Sequence, residues 1–167
     1  MGKGYTIECK KCGYCEVFHL GVGFSYPYVY RATMREARRG QFGIELKKLL
    51  WTHSKAVIDP TLVLTRCPQC HTLSREVDLT AYLPNSGYHR KRGKKQIWSS
   101  EMPCFDVDYV SPSDMTENYS ACCKYDHRCG KCNSEAEVIK EHEMMEKVFY
   151  CPECGSVLSV SQNIHWD

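Results

Sequence analysis

The sequence has no run of 18 or more apolar residues, which argues against a helix that crosses a bilayer. No apolar segment follows Met1-Gly2-Lys3-Gly4-Tyr5, so no secretory signal is expected and the setting is read as cytoplasmic and reducing. Signatures of common catalysts are also missing. There is no H-x-E, and Pro103-Cys104 lacks the second cysteine that a zinc deaminase needs. His142-Glu143-Met144-Met145-Glu146 starts like a metalloprotease helix, but Glu146 stands where the second histidine ligand belongs. No glycine-rich phosphate loop and no G-x-S-x-G elbow occurs. Catalysis is not expected, and neither is a small-molecule substrate.

What the chain has in excess is cysteine, 12 in 167 residues. In a reducing compartment thiols ligate metal or react, and spacing decides between the two. Five pairs lie three apart: Cys9/Cys12, Cys12/Cys15, Cys67/Cys70, Cys129/Cys132 and Cys151/Cys154. Random placement gives roughly 0.8 such pairs. A C-x-x-C turn delivers two sulfurs from one knuckle, and two knuckles complete the tetrahedron that zinc prefers. Gly13 and Gly155 follow the second cysteine of their pairs, where the turn often needs a positive φ, and Pro68 and Pro152 follow the first.

Two structural zinc ions are therefore expected, held by Cys9, Cys12, Cys67 and Cys70 near one end and by Cys129, Cys132, Cys151 and Cys154 near the other. The second set has 18 residues between its pairs and the first has 54. Cys15 competes with Cys9 as the partner of Cys12, but it lies where a strand should begin and is read as a spare. Cys104, Cys122 and Cys123 have no partner at that spacing. His71 and His127 stand beside the knuckles and are read as supporting the ligands from outside or as exposed, with substitution for a ligand as the alternative.

Around these motifs the reading is a small α+β protein. Short alternating strands, 5–8 and 16–20, flank the first knuckle. Helices are expected at 28–39, closed by Gly40, and at 42–53. Tyr30, Thr33, Met34 and Ala37 mark the apolar face of the first helix. A strand at 62–64, a return strand suggested by Val77 and Leu79 that stops by Pro84, and a strand at 157–160 follow, and 141–146 is read as a hairpin in preference to a helical turn. The expected division is 1–83, a zinc-ribbon-like unit with a two-helix insertion; 84–120, a basic then acidic connection; and 121–167, a C-terminal ribbon.

The units Cys129-Gly-Lys-Cys132…Cys151-Pro-Glu-Cys154-Gly and Cys9-Lys-Lys-Cys12-Gly…Cys67-Pro-Gln-Cys70 resemble rubredoxin-like zinc ribbons, including those of small bacterial proteins. The resemblance covers about 45 residues at the C-terminus and, loosely, the first 80. It implies two tetracysteine ribbons of short antiparallel strands and a metal, but no activity.

Charge is distributed unevenly. Residues 1–83 carry +5, residues 84–100 another +5 and residues 101–167 carry −8, for a formal total of +2. Arg31, Arg35, Arg38 and Arg39 share the polar side of the first helix, and Arg90, Lys91, Arg92, Lys94 and Lys95 form a run between Tyr88 and Trp98. Cations near aromatic rings suit phosphates and stacked bases, so nucleic acid or a ribonucleoprotein is one expected partner. A protein partner, met by the ribbons and the acidic C-terminal part, is the alternative. A thiol-redox or metal-responsive role for Cys15, Cys104, Cys122 and Cys123 is a third reading.

Overall fold

The computed structural model describes residues 2–23, 25–88 and 109–166. These residues form three α-helices and three three-stranded antiparallel sheets, a mixed α+β fold. They fall into two compact units, and neither is continuous in sequence. Residues 1–24, 61–79 and 125–167 make the first; 25–60 and 80–124 make the second. The consecutive division expected from the sequence gives way to this one, because the strands that pair are far apart along the chain.

In the first unit, β1 (Gly2–Glu8) and β2 (Cys15–Leu20) form a hairpin, with β9 (Ser159–Trp166) on the other side of β1. A second hairpin repeats the plan: β4 (Leu62–Arg66) pairs with β5 (Leu73–Val77), and β8 (Glu137–Ile139) lines the far side of β4. The sheet orders β2-β1-β9 and β5-β4-β8 thus correspond strand for strand. Alternation along β1 turns Tyr5 and Ile7 inward, where they meet Phe18, Leu20, Leu64, Leu73, Ile139, Met144, Phe149 and Leu158 in one buried cluster. Burying each large apolar side chain contributes roughly 1.5–3 kcal/mol, so the two hairpins are fused through a shared core. Residues 141–143 form a 3-10 turn, correcting the hairpin expected at 141–146. The Glu143 carboxylate accepts from the Lys140 backbone N–H at 2.8 Å and closes that turn.

The second unit contains α1 (Tyr26–Arg39), α2 (Ile44–Thr52) and α3 (Pro112–Asn118), with the sheet β3-β6-β7 formed by Val57–Ile58, Ala81–Pro84 and Tyr119–Cys123. Gly40 ends α1 at φ 91°, its N–H bonded to the Glu36 and Ala37 carbonyls, as expected for a left-handed cap. Tyr26, Tyr30, Thr33, Met34 and Ala37 are the buried face of α1, while Leu46 and Leu50 are that of α2. The Ser111 hydroxyl accepts from the Asp114 N–H at 3.1 Å and caps α3. The segment expected to be a mere connection, 84–120, therefore contributes, in its described parts, α3, the last residue of β6 and the first two of β7.

Candidate metal centres and a cationic groove

Four knuckles share one backbone geometry. In each, the N–H of the first cysteine bonds to a carbonyl five residues on: Cys9 to Tyr14 (2.7 Å), Cys67 to Thr72 (2.9 Å), Cys129 to Ser134 (2.8 Å) and Cys151 to Ser156 (2.8 Å). The residue four after that cysteine donates back to its carbonyl at 2.8–3.0 Å. That residue is Gly13, His71, Asn133 or Gly155, and all four have positive φ, between 58° and 79°. Gly13 and Gly155 take this conformation without strain, and Asn133 tolerates it better than most side chains. His71 thus has a backbone role in its turn. His127 is buried, its Nε2 3.1 Å from the Asp78 carbonyl oxygen. Neither histidine belongs to a metal-ligating group.

The knuckles meet in pairs, but not in the expected pairs. Cys9 and Cys12 converge on Cys151 and Cys154, while Cys67 and Cys70 converge on Cys129 and Cys132. All eight cysteines expected as ligands fall in these groups, and the pairing expected between neighbours in sequence is corrected to a nested one. Each hairpin tip supplies one knuckle. The knuckle it meets precedes the third strand of the same sheet: 151–156 leads to β9 and 129–134 to β8. The sheets bring the pairs together, which spacing alone could not reveal.

Within each group the four sulfurs lie within 4.8 Å of one another. Across the outer group Cys9 Sγ is 3.5 Å from Cys154 Sγ and Cys12 Sγ 3.5 Å from Cys151 Sγ. Across the inner group the Cys67–Cys132 and Cys70–Cys129 distances are 3.4 and 3.6 Å. A disulfide needs about 2.05 Å. Four sulfurs about 2.3 Å from a tetrahedral ion stand roughly 3.8 Å apart, so these groups fit such an ion. The first cysteine of every knuckle is buried, which screens each site on one side.

Hydroxyls support three of the knuckles from behind the sulfurs. Thr72 Oγ1 lies 3.1 Å from Cys70 Sγ, placed to donate to its thiolate. Bonds from the Thr72 side chain and N–H pull the Cys70 thiol down to about 6, and Ser156 does the same for Cys154, also to about 6. Ser134 lowers Cys132 in the same way. Tyr14 occupies the matching place after Cys12 with no such short hydroxyl. Burial pushes Cys67 up to about 11, because a thiolate there loses solvation beside other sulfurs. A bound dication offsets that repulsion. The sequence signal for these hydroxyls, Thr or Ser two residues after the second cysteine, occurs in three of the four knuckles and was not read as part of the site.

Of the remaining cysteines, Cys15 begins β2 and belongs to neither group. Cys122 donates to the Ala81 carbonyl at 3.3 Å, and burial raises its thiol. That is the opposite of what a reactive thiol needs. Cys104 lies outside the described residues, as do Arg90, Lys91, Arg92, Lys94 and Lys95.

The arginines of α1 are described. Arg31, Arg35, Arg38 and Arg39 are exposed and line one groove of about 1170 Å³ within the second unit, together with Lys55 and Trp51. Lys55 and Trp51 had no part in the sequence reading. Among the described residues none of these arginines takes part in a salt bridge. No described helix is long and apolar enough to cross a membrane.

No protein family, no curated protein and no solved structure matches this chain. The two cysteine groups are compatible with zinc-ribbon-like sites on their geometry alone.

Proposed function

We propose that this chain is a structural zinc protein with two nested ribbons, and that its basic half binds nucleic acid. The observation that carries the zinc reading is the convergence of eight cysteines into two groups of four whose sulfurs lie within 4.8 Å of one another. Four thiolates around one ion leave no open position for a substrate, so the ions hold the fold and perform no chemistry. Arg31, Arg35, Arg38, Arg39 and Lys55 of the second unit, in no salt bridge among the described residues, support the nucleic-acid part.

Metal analysis of the native, reduced protein tests the first statement. Two zinc ions per chain are expected, and a strong chelator should unfold the β1-β2-β9 and β4-β5-β8 sheets. Tetrathiolate sites also suit iron, which would colour the protein. An iron-loaded chain overturns the choice of zinc, and a metal-free chain that is well folded overturns the sites.

A second reading, a protein-interaction adaptor, draws on exposed apolar side chains in the last part of the first unit: Met145, Val148, Tyr150 and Val157. A defined partner that binds the native chain and is lost on Val148→Asp with Val157→Asp supports it. Unchanged binding by that variant rejects it.

A further inference from the structure

We propose that the groove beside α1 is a binding site for single-stranded nucleic acid, with phosphates on the arginine row and a base stacked on Trp51. The proposal deepens the nucleic-acid reading above and rests on it.

The arginines stand at i, i+4, i+7 and i+8 of one helix, so the row from Arg31 to Arg39 extends about 12 Å at 1.5 Å per residue. That length spans more than one phosphate of a nucleic-acid strand. The row is not explained by the helix itself. Arg38 and Arg39 lie in the last turn, where cations suit the helix dipole. Arg31 and Arg35 do not, and like charges at i, i+4 repel each other. Lys55 enlarges the same cationic wall, and among the described residues no carboxylate lines the groove.

Trp51 distinguishes a nucleic acid from a generic polyanion. Its neighbours Leu46 and Leu50 bury the apolar face of α2, whereas the indole is 75% exposed at the groove. A solvent-facing ring beside a row of guanidinium groups is the arrangement that stacks an unpaired base while its phosphates are neutralised. A duplex hides its base faces and cannot use the indole in this way.

The test uses zinc-loaded native chain and a labelled ten-nucleotide mixed-sequence single strand, with its duplex and a glutamate decamer as competitors, read by anisotropy over a salt series. The expected result is preference for the single strand. Arg31→Ala with Arg35→Ala should reduce the slope of log K against log salt by about 1.4, or about 0.7 per phosphate contact. Trp51→Ala should weaken binding by about tenfold or more with the slope unchanged, and Trp51→Phe should recover most of it. All three variants should keep the native circular dichroism and unfolding midpoint, which shows that the helices of the second unit still fold; metal content reports only on the first unit.

If the native chain binds the single strand and these variants bind it equally well, the groove is overturned while the nucleic-acid reading stands. Binding of the duplex as tightly as the single strand, or displacement by the glutamate decamer at equal charge, overturns the stacking assignment. No binding of either nucleic acid at low salt overturns both.

Discussion

Cys9 Sγ lies 3.5 Å from Cys154 Sγ, although 145 residues separate them along the chain. Inside that span, Cys67 and Cys132, 65 residues apart, close a second group at 3.4 Å. In the first unit one cysteine group thus lies nested, in sequence, inside the span of the other, and the four knuckles are interdependent in a way that consecutive groups would not be.

Paired substitutions distinguish the two arrangements. Cys9→Ser with Cys151→Ser removes two ligands from one group and leaves the other complete, so one zinc per chain should remain. Cys9→Ser with Cys67→Ser breaks both groups and should leave none. Consecutive ribbons require the opposite results. Metal content after gel filtration reads the difference.

The knuckle turns should respond to backbone chemistry alone. Gly13 has φ 79° and Gly155 φ 71°, and a Cβ at either would meet nothing within 4 Å. Alanine there places an L-residue in the left-handed region, which costs roughly 1–2 kcal/mol. Gly13→Ala and Gly155→Ala should each weaken stability by about that amount in a denaturant titration at fixed zinc. Asn133→Gly, which relieves the same conformation, should change it by less than about 1 kcal/mol, because glycine gains more freedom on unfolding.

Much of this site was legible because chemistry fixes its ligands locally. A C-x-x-C turn names its two sulfurs whatever the fold, and Gly13 and Gly155 announce the positive φ. The pairing was not legible. Joining Cys12 to Cys151 closes a loop of 139 residues, against 18 between Cys132 and Cys151, yet loop-closure entropy grows so slowly that the difference is about 2 kcal/mol. Burying the shared core of Ile7, Leu64, Ile139 and Phe149 outweighs that. α1 was legible for a similar reason, its apolar period and Gly40 cap both being local. β6 and β7 are short and carry Pro84 and two cysteines, so only their distant pairing makes them strands.

Glu137 should make stability depend on pH. Hydrogen bonds from Lys147, at 2.8 Å, and from Arg66 hold its carboxyl below the usual 4.5, against a smaller opposing effect of burial. A depressed folded value means that stabilisation is present above the unfolded value and lost as pH falls through the folded one. Because the carboxylate is partly exposed, Glu137→Gln should lower stability by no more than about 1 kcal/mol at pH 7. The gap between native and variant should begin to narrow as pH falls below the usual 4.5 and close once pH is below the depressed folded value, as read by chemical unfolding at each pH with zinc content monitored.

Phe149 joins the core to the outer cysteine group. It is fully buried two residues before Cys151, and the Arg66 guanidinium stands 5.8 Å from its ring centre. Phe149→Ala should cost about 3–5 kcal/mol. Zinc should then be lost from the Cys9 group at a lower chelator concentration than from the Cys67 group, measured by successive release to a colorimetric chelator.

The nested order also has a consequence for synthesis. A ribosome adds about 5–20 residues per second, so Cys12 is added roughly 7–28 s before Cys151, 139 positions later. Through that interval the first knuckle is an open dithiol, available to oxidants and to competing ions, while the inner quartet assembles ahead of it. Cells growing under peroxide should therefore accumulate newly made chains damaged at Cys9 and Cys12 more than at Cys129 and Cys132, although mature chains hold all four in equivalent turns.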